Sequence, residues 1–394
     1  MSMKNILFCF IFIIIILTPS CFSNKQTKNG LLSIDVRKNY PEKEIILTDI
    51  ADVTYLCLNS DDDDYLFKGR IHSITENTIV IVDDVSGSIL FFSKDGMPKS
   101  RFNRKGQGPE DYVNVRIVVF DEKADDVFVL SYGFVNFFSV YSSTGEYKRK
   151  IFLPEGRTFV QTVYSFDDES LFIYDGSVER ENLVQLINDS NTEFSKSHFF
   201  CISKTNGKAL DYVEIPINSI ILKDEAAGMP YTPNRLIKSK DGVLLCNPET
   251  DMVFLYNKDR SLIPIIQKTP STKQLDPMVI LNNCVDVGKY QFMEIVTIRF
   301  GQDGFPCKYL MRDKNTDEIF QQKITLPDYK GKEFFFRPRA SGGDYGYCTY
   351  FELGLIELKQ ASRENKLNGK LKELVGTLNE DKDNNVFMFV NFKP

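Results

Sequence analysis

Tryptophan is absent from this 394-residue sequence, and histidine occurs only at His72 and His198. The first absence removes indole as a platform for stacking sugar rings, and the second leaves imidazole-based catalysis with two candidates. No nucleophile elbow, no HExxH pair and no Ser/His/Asp arrangement stands in the chain, so the reactions those motifs carry are not indicated. None of the cysteines forms a CxxC pair and no Cys/His cluster has zinc-ligand spacing, so no metal or other cofactor is expected. Positive charge is also scarce: 48 Lys and Arg face 54 Asp and Glu, for a net charge of −6. With no basic stripe anywhere, a nucleic-acid partner is excluded, because phosphate binding needs a concentrated cationic surface. The apolar run Ile6 to Leu17 is about a dozen residues, short of the roughly 20 that a membrane-spanning helix needs.

That run instead reads as the core of a signal peptide over residues 1–20, with Lys4 before it and Thr18-Pro19-Ser20 after it. Cys21 follows directly, a placement that resembles the lipobox of bacterial lipoproteins, where the thiol is acylated. Plain cleavage after the small residues and an uncleaved anchor are the alternatives. Residues 21–44, polar and carrying Lys25, Lys28, Arg37 and Lys38, are expected to be a tether. The membrane would then be engaged by the N-terminal lipid only. Cys57, Cys201 and Cys246 lie within apolar strand-like runs and are expected as buried thiols. An exported chain permits disulfides, but the spacing pairs none of its cysteines.

From Ala51 onward a pattern recurs. The stretch Ile89–Tyr112 is an apolar strand, a Lys-Asp-Gly turn, a charged strand and a glycine loop, and the apolar run Val115–Phe120 starts the order again. Blade one is read through Ile71–Ser73, Thr78–Val82 and Ile89–Ser93, and blade two through Val115–Phe120, Asp126–Leu130 and Phe137–Ser142. Blade three takes Val160–Phe166, Ser170–Tyr174 and Phe199–Ser203, with an insertion at Glu179–Ser197. Blade four takes Arg235–Ser239, Gly242–Cys246 and Asp251–Tyr256, and blade five Phe292–Phe300 and Cys307–Arg312. The turns hold Gly, Asn and Asp, which accept positive φ. A period of roughly 50 residues with four strands is that of a β-propeller blade. The acidic run Asp61–Asp64 lacks the alternating spacing and the glycine of a calcium loop, and reads as a solvated turn.

The last part departs from this rhythm. Tyr345–Leu358 reads as strand, Ser362–Leu378 as one short amphipathic helix, and Val386–Phe392 as a closing strand. The expected fold is all-β: a six-bladed β-propeller over residues 45–394, closed by pairing Ala51–Leu58 with Val386–Phe392.

On these residues the chain resembles the six-bladed β-propeller lipoproteins of Bacteroidetes, which are similar to NHL-repeat propellers. Gly106-Gln107-Gly108-Pro109-Glu110-Asp111-Tyr112 stands where that family has Gly-Gln-Gly-Pro-Gly-Glu-Tyr. Thr250–Pro270, Phe292–Phe320 and Asn379–Lys393 resemble the family's later blades and its closing segment, with Asn385 in place of a proline. The resemblance implies the fold and a place in the cell envelope, at the outer membrane facing either the periplasm or the surface. It implies no particular activity.

The glycine loop leads into a strand rather than a helix, so it lacks the amides of a phosphate cradle. Gly106, Gly108 and Pro109 are therefore expected to carry the chain from one blade to the next. The remaining chemical clue is arginine. Arg116, Arg235 and Arg299 fall on the expected inner strands of blades two, four and five, and Arg337 and Arg339 just before blade six; Tyr231 and Asn234 lie in the loop entering blade four. Inner strands line a propeller's channel, so these residues are candidates for a cationic mouth that takes an anionic ligand, since arginine binds carboxylate bidentately; ordinary solvated or salt-bridged side chains are the alternative. The expected activity is non-catalytic binding of a small molecule, glycan or protein. A polysaccharide hydrolase or lyase, and a structural partner in an uptake complex, are the alternatives.

Overall fold

The computed structural model describes residues 31–58, 63–133, 135–155, 157, 159–177, 197–217, 220–222, 229–231, 233, 235–248, 250–299, 304–336 and 348–393. The signal peptide, Cys21, Asn234, Arg337, Arg339 and nearly all of the Glu179–Ser197 insertion lie outside these residues.

The second strand of each blade shows why the chain folds as it does. In blade 2, Val127 and Val129 pack toward blade 1 while Phe128 and Leu130 pack toward blade 3. In blade 3, Leu171 and Ile173 turn back to blade 2, and Phe172 and Tyr174 turn forward to blade 4. Side chains of a strand alternate between its two faces, so a strand buried on both must be apolar throughout. Six such cores lie between successive sheets, from blade 6 and blade 1 round to blade 5 and blade 6. They form a closed circle of six blades.

Blades 1 to 3 are four-stranded antiparallel sheets. Blade 1 holds Gly69–Ile74, Thr78–Asp83, Ile89–Ser93 and Pro98–Phe102 from the channel outward. Blade 2 holds Val115–Asp121, Asp126–Ser131, Phe137–Tyr141 and Tyr147–Phe152. Blade 3 holds Val160–Ser165, Ser170–Asp175, Phe199–Ser203 and Ala209–Val213. The turns before the outer strands of blades 2 and 3 need glycine twice over. Gly145 has φ +87° and Gly207 has φ +75°, and a Cβ there would meet Phe102 Cβ at 2.5 Å or the Phe152 carbonyl oxygen at 2.1 Å, each on the preceding blade.

Blade 4 is built from Leu236–Ser239, Gly242–Asn247, Met252–Asn257 and Leu262–Thr269. Blade 5 begins one strand earlier than its sequence suggests. Its inner strand is Val279–Val287, and Tyr290–Thr297, expected to be innermost, is second. Cys307–Asp313 and Ile319–Leu326 complete its order, with Tyr329–Phe334 paired to the last.

The segment expected as a tether is corrected over its second half. Leu32–Asp35 adds in parallel to the outer strand of blade 4, and Glu42–Ile46 to that of blade 5. Ile34, Val36 and Tyr40 enter the core between blades 4 and 5, and Ile45 and Leu47 the next one. Both additions cover sheet edges that would otherwise present unpaired backbone groups.

Closure is as the sequence suggests: Ala51–Cys57 pairs antiparallel with Val386–Phe392, from Phe392 opposite Ala51 to Val386 opposite Cys57. Cys348–Leu353 flanks the same sheet. The single C-terminal helix is corrected to two, Leu355–Arg363 and Gly369–Thr377. Asn365 and Gly369 take positive φ and break the run, while Leu358, Leu371 and Val375 seal the blade 5–blade 6 core. Cys201 and Cys246 are buried, as expected, and Cys57 is half-buried.

Asn384 holds the two chain ends together. Its side-chain oxygen accepts the Phe67 amide at 3.1 Å, and its amide group donates to the Leu58 and Tyr65 carbonyls, each at 3.1 Å. Asn384→Ala leaves these buried backbone groups unpaired and is expected to destabilise the fold by about 2–3 kcal/mol, measured by chemical denaturation. A loss below about 0.5 kcal/mol would show that closure does not rely on this side chain.

Candidate functional site

The inner strands share a local irregularity. In blades 1, 2, 3 and 5 the ladder to the second strand skips one residue, between Ile71 and Ser73, Val115 and Ile117, Val160 and Thr162, and Leu281 and Asn283. The skipped residues are His72, Arg116, Gln161 and Asn282, all polar. A bulge frees a side chain from the alternation of its strand and re-aims it, which is why bulges recur at functional sites. Asn282 is satisfied within its own sheet, donating to Glu294 Oε2 at 2.9 Å. The other three meet across the channel.

His72, Arg116 and Gln161, with Arg70, Tyr132 and Tyr164, line a cavity of about 180 Å³ among blades 1, 2 and 3. Among the described residues neither Arg70 nor Arg116 has an ion-pair partner. The Arg116 guanidinium sits 4.7 Å from the Phe159 ring centre and 6.0 Å from that of Tyr132, a cation–π clamp that orients it. Burial lowers the Arg116 pKa; Tyr132 and then Asp175 act against it, and Asp175 is itself bound to Arg157 at 3.4 Å in a fully buried pair.

His72 is 95% buried, and its Nδ1 accepts the Val118 amide of blade 2 at 3.3 Å. Burial, helped by the charge of Arg70, pushes its imidazole down to about 3, so it stays neutral. His198 lies within blade 3, just before its third strand, donating from Nδ1 to the Asp175 carbonyl at 3.1 Å, and burial lowers it too.

Of the residues expected from sequence, Arg116 lines this cavity. Arg235 is buried just before the inner strand of blade 4, where its carbonyl accepts the Cys246 amide. Arg299 is a correction: it is exposed, beyond the end of the second strand of blade 5, because the inner position belongs to Val279–Val287. Tyr231 lies in a two-stranded hairpin with Ile220–Leu222. Arg70, Tyr132 and Gln161 were not among the residues expected to line the channel, and His72 stood out only as one of two imidazoles; the bulges that re-aim His72 and Gln161 leave no signature in composition.

The glycine loop is built by its own groups. Gly108 N donates to Asp111 Oδ2 at 2.8 Å, and a Cβ at Gly106 would meet that oxygen at 2.2 Å. The buried Tyr112 hydroxyl accepts the Arg104 amide and donates to the Gly87 carbonyl. Asp111 and Glu110, which depart from the family pattern, thus act within the loop, Glu110 by pairing with Arg104 at 3.6 Å.

A second, larger cavity of about 800 Å³ lies over the seam of blades 6 and 1, with Asp83, Asp84, Glu352, Glu380, Asp381 and Asp383 in its walls. Asp83 there is occupied by the Lys68 and Ser86 amides. The channel cavity is cationic and the closure groove acidic.

The pH dependence of stability follows from His72. Its folded pKa lies below the ordinary value of about 6.5, so the stability of the neutral form is present above that pH and lost as pH falls toward 3. The unfolded chain then takes up a proton that the fold excludes. Relative to His72→Gln, wild-type stability is expected to fall between pH 6.5 and 4.5 by at most about 1.4 kcal/mol per pH unit, measured by denaturation at each pH. A pH-independent difference would contradict a neutral buried His72.

Residues 23–346 match the model of a family described as 6-bladed beta-propeller. Among solved structures the chain is similar to a Bacteroides fragilis protein described as exported, with 15% identity and a TM-score of 0.62 over 92% of this chain and 100% of that one. At that identity the likeness speaks to the fold alone. A Bacteroides vulgatus protein (13% identity, TM-score 0.47, 87% of this chain and 97% of that one) and a streptogramin B lyase (11%, 0.38, 88% and 99%) are more distant and carry no argument. No curated protein matches. The match spans most of the length and agrees with the closed ring of six cores, so the chain belongs to the 6-bladed β-propeller family.

Proposed function

We propose that this protein is an exported binding propeller of the cell envelope, anchored by a lipid on Cys21, that takes a small anionic ligand in its channel. The observation that carries the binding reading is the pair Arg70 and Arg116, two guanidiniums lining one cavity without a carboxylate partner among the described residues. In a chain of net charge −6 with 54 acidic residues, arginines left unpaired on a channel wall call for charge supplied from outside. Among the described residues no carboxylate lines the cavity, which favours binding over an acid-pair hydrolase, whose two carboxyls must flank the bond they cleave. The apolar leader and Cys21 support export and anchoring. The ligand class includes free organic acids and acidic glycans.

Thermal-shift screening of acidic sugars and carboxylated peptides is expected to raise the melting temperature, since a ligand that binds only the folded state stabilises it. Arg116→Ala should abolish the shift, and added salt should weaken it, because Arg70 is exposed and its attraction is screened. No shift with any anion, or a shift indifferent to Arg116, would overturn the binding reading. Anchoring is tested separately: labelled palmitate should enter the wild-type protein in its native host and not Cys21→Ser. An unlabelled wild-type protein would refute it.

A further inference from the structure

The contact between Arg70 and His72 is chemically incomplete. Arg70 Nε approaches His72 Nε2 at 3.4 Å, while Nδ1 of the same ring accepts the Val118 amide. A neutral imidazole has one donor nitrogen and one acceptor nitrogen. The Val118 amide belongs to the innermost strand of blade 2, and a buried backbone N–H requires an acceptor. That requirement assigns the lone pair to Nδ1 and the proton to Nε2. Arg70 Nε and His72 Nε2 are then two N–H donors side by side, with no acceptor between them among the described residues. His72 is 95% buried, so bulk water does not readily relieve the pair. Arg116 approaches the same space from blade 2.

We propose that Arg70, His72 and Arg116 form the seat for the carboxylate of a small organic acid, one oxygen taking the His72 and Arg70 protons together. This rests on the channel-binding reading above and names the ligand's head group. A carboxylate oxygen has the lone pairs to accept from two converging donors, and its charge offsets guanidiniums that form no ion pair among the described residues. Water supplies lone pairs but no charge. The size of the cavity, about 180 Å³, is below the roughly 300–1,000 Å³ of pockets for drug-sized ligands, so the acid is small or enters as the acidic end of a chain. His72 serves as a fixed neutral donor, and its hold on Val118 ties the ligand seat to the packing of blade 1 against blade 2.

The test uses the two-histidine composition. In uniformly ¹⁵N-labelled protein, long-range ¹H–¹⁵N spectra resolve the tautomers of His72 and His198 without crowding, assigned through His198→Gln. The expected result is an Nε2-protonated His72 whose Nε2 resonance moves on titration with D-glucuronate or acetate and stays in place with glucose. Arg70→Gln, a substitution of an exposed side chain, is expected to weaken glucuronate binding about 10-fold or more while leaving the tautomer unchanged. A His72 protonated on Nδ1 would overturn the proposal, because Nε2 would then accept from Arg70 and need no ligand. So would a resonance that answers to inorganic phosphate and ignores both carboxylates. Either outcome leaves salt-sensitive, Arg116-dependent anion binding intact, whereas failure of all anions to bind removes the channel-binding reading itself.

Discussion

Two-sided burial of the second and third strands is the constraint on which the structure depends. A sheet apolar on both faces cannot rest on solvent, so each blade requires a neighbour on either side. The requirement ends only when the last blade meets the first. The seam between blades 6 and 1, where Tyr350, Phe387 and Phe389 pack on Ile79, Ile81 and Phe92, satisfies blade 1 and blade 6 alike. Ala51–Cys57 and Val386–Phe392 pair along their whole length to make that seam. Their pairing brings together residues more than 300 positions apart in the chain.

The same constraint leaves polar chemistry two places to go. Outer strands carry the charged residues, such as Lys99 and Arg101 in Pro98–Phe102 and Lys148, Arg149 and Lys150 in Tyr147–Phe152. Inner strands have one edge on the channel. There the ladder is interrupted at His72, Arg116 and Gln161, and the freed side chains reach one cavity from three blades. His72 links the two roles, since it completes the hydrogen bonding of the blade 2 edge and also lines the channel. Burial that keeps it neutral makes it a donor of constant charge beside two permanent cations.

Charge is sorted by position around the ring. The channel wall of blades 1 to 3 is cationic, the groove at the closure is acidic, and polar ties link neighbouring blades. In one such tie Lys204 of blade 3 reaches Asp121 of blade 2 at 2.7 Å, with both side chains largely buried. In another the Thr78 hydroxyl of blade 1 donates to Glu122 of blade 2. These ties fix the rotation of one blade against the next, which the apolar faces alone specify less tightly.

Blades 1 to 4 were legible because their second and third strands are unbroken apolar runs bounded by Gly, Asn and Asp turns, a signal that local chemistry alone produces. Closure was legible for the same reason at Ala51–Cys57 and Val386–Phe392. The inner strand of blade 5 was not, since two asparagines in sequence interrupt the apolar pattern of Val279–Val287, where the ladder bulges at Asn282 and that side chain donates to Glu294. Leu32–Asp35 and Glu42–Ile46 look like a polar tether because edge strands need few apolar residues, and their partners lie more than 200 positions away in the chain. Arg116 could be placed on an inner strand from its neighbours, whereas Arg299 could not. The sequence by itself determined the repeat, the turns and the two-faced burial, all properties of residues near one another in the chain. Only the tertiary structure decided which polar side chains share the channel, because bulges at His72 in blade 1 and Arg116 in blade 2 must be brought side by side before Arg70, His72 and Arg116 become a site.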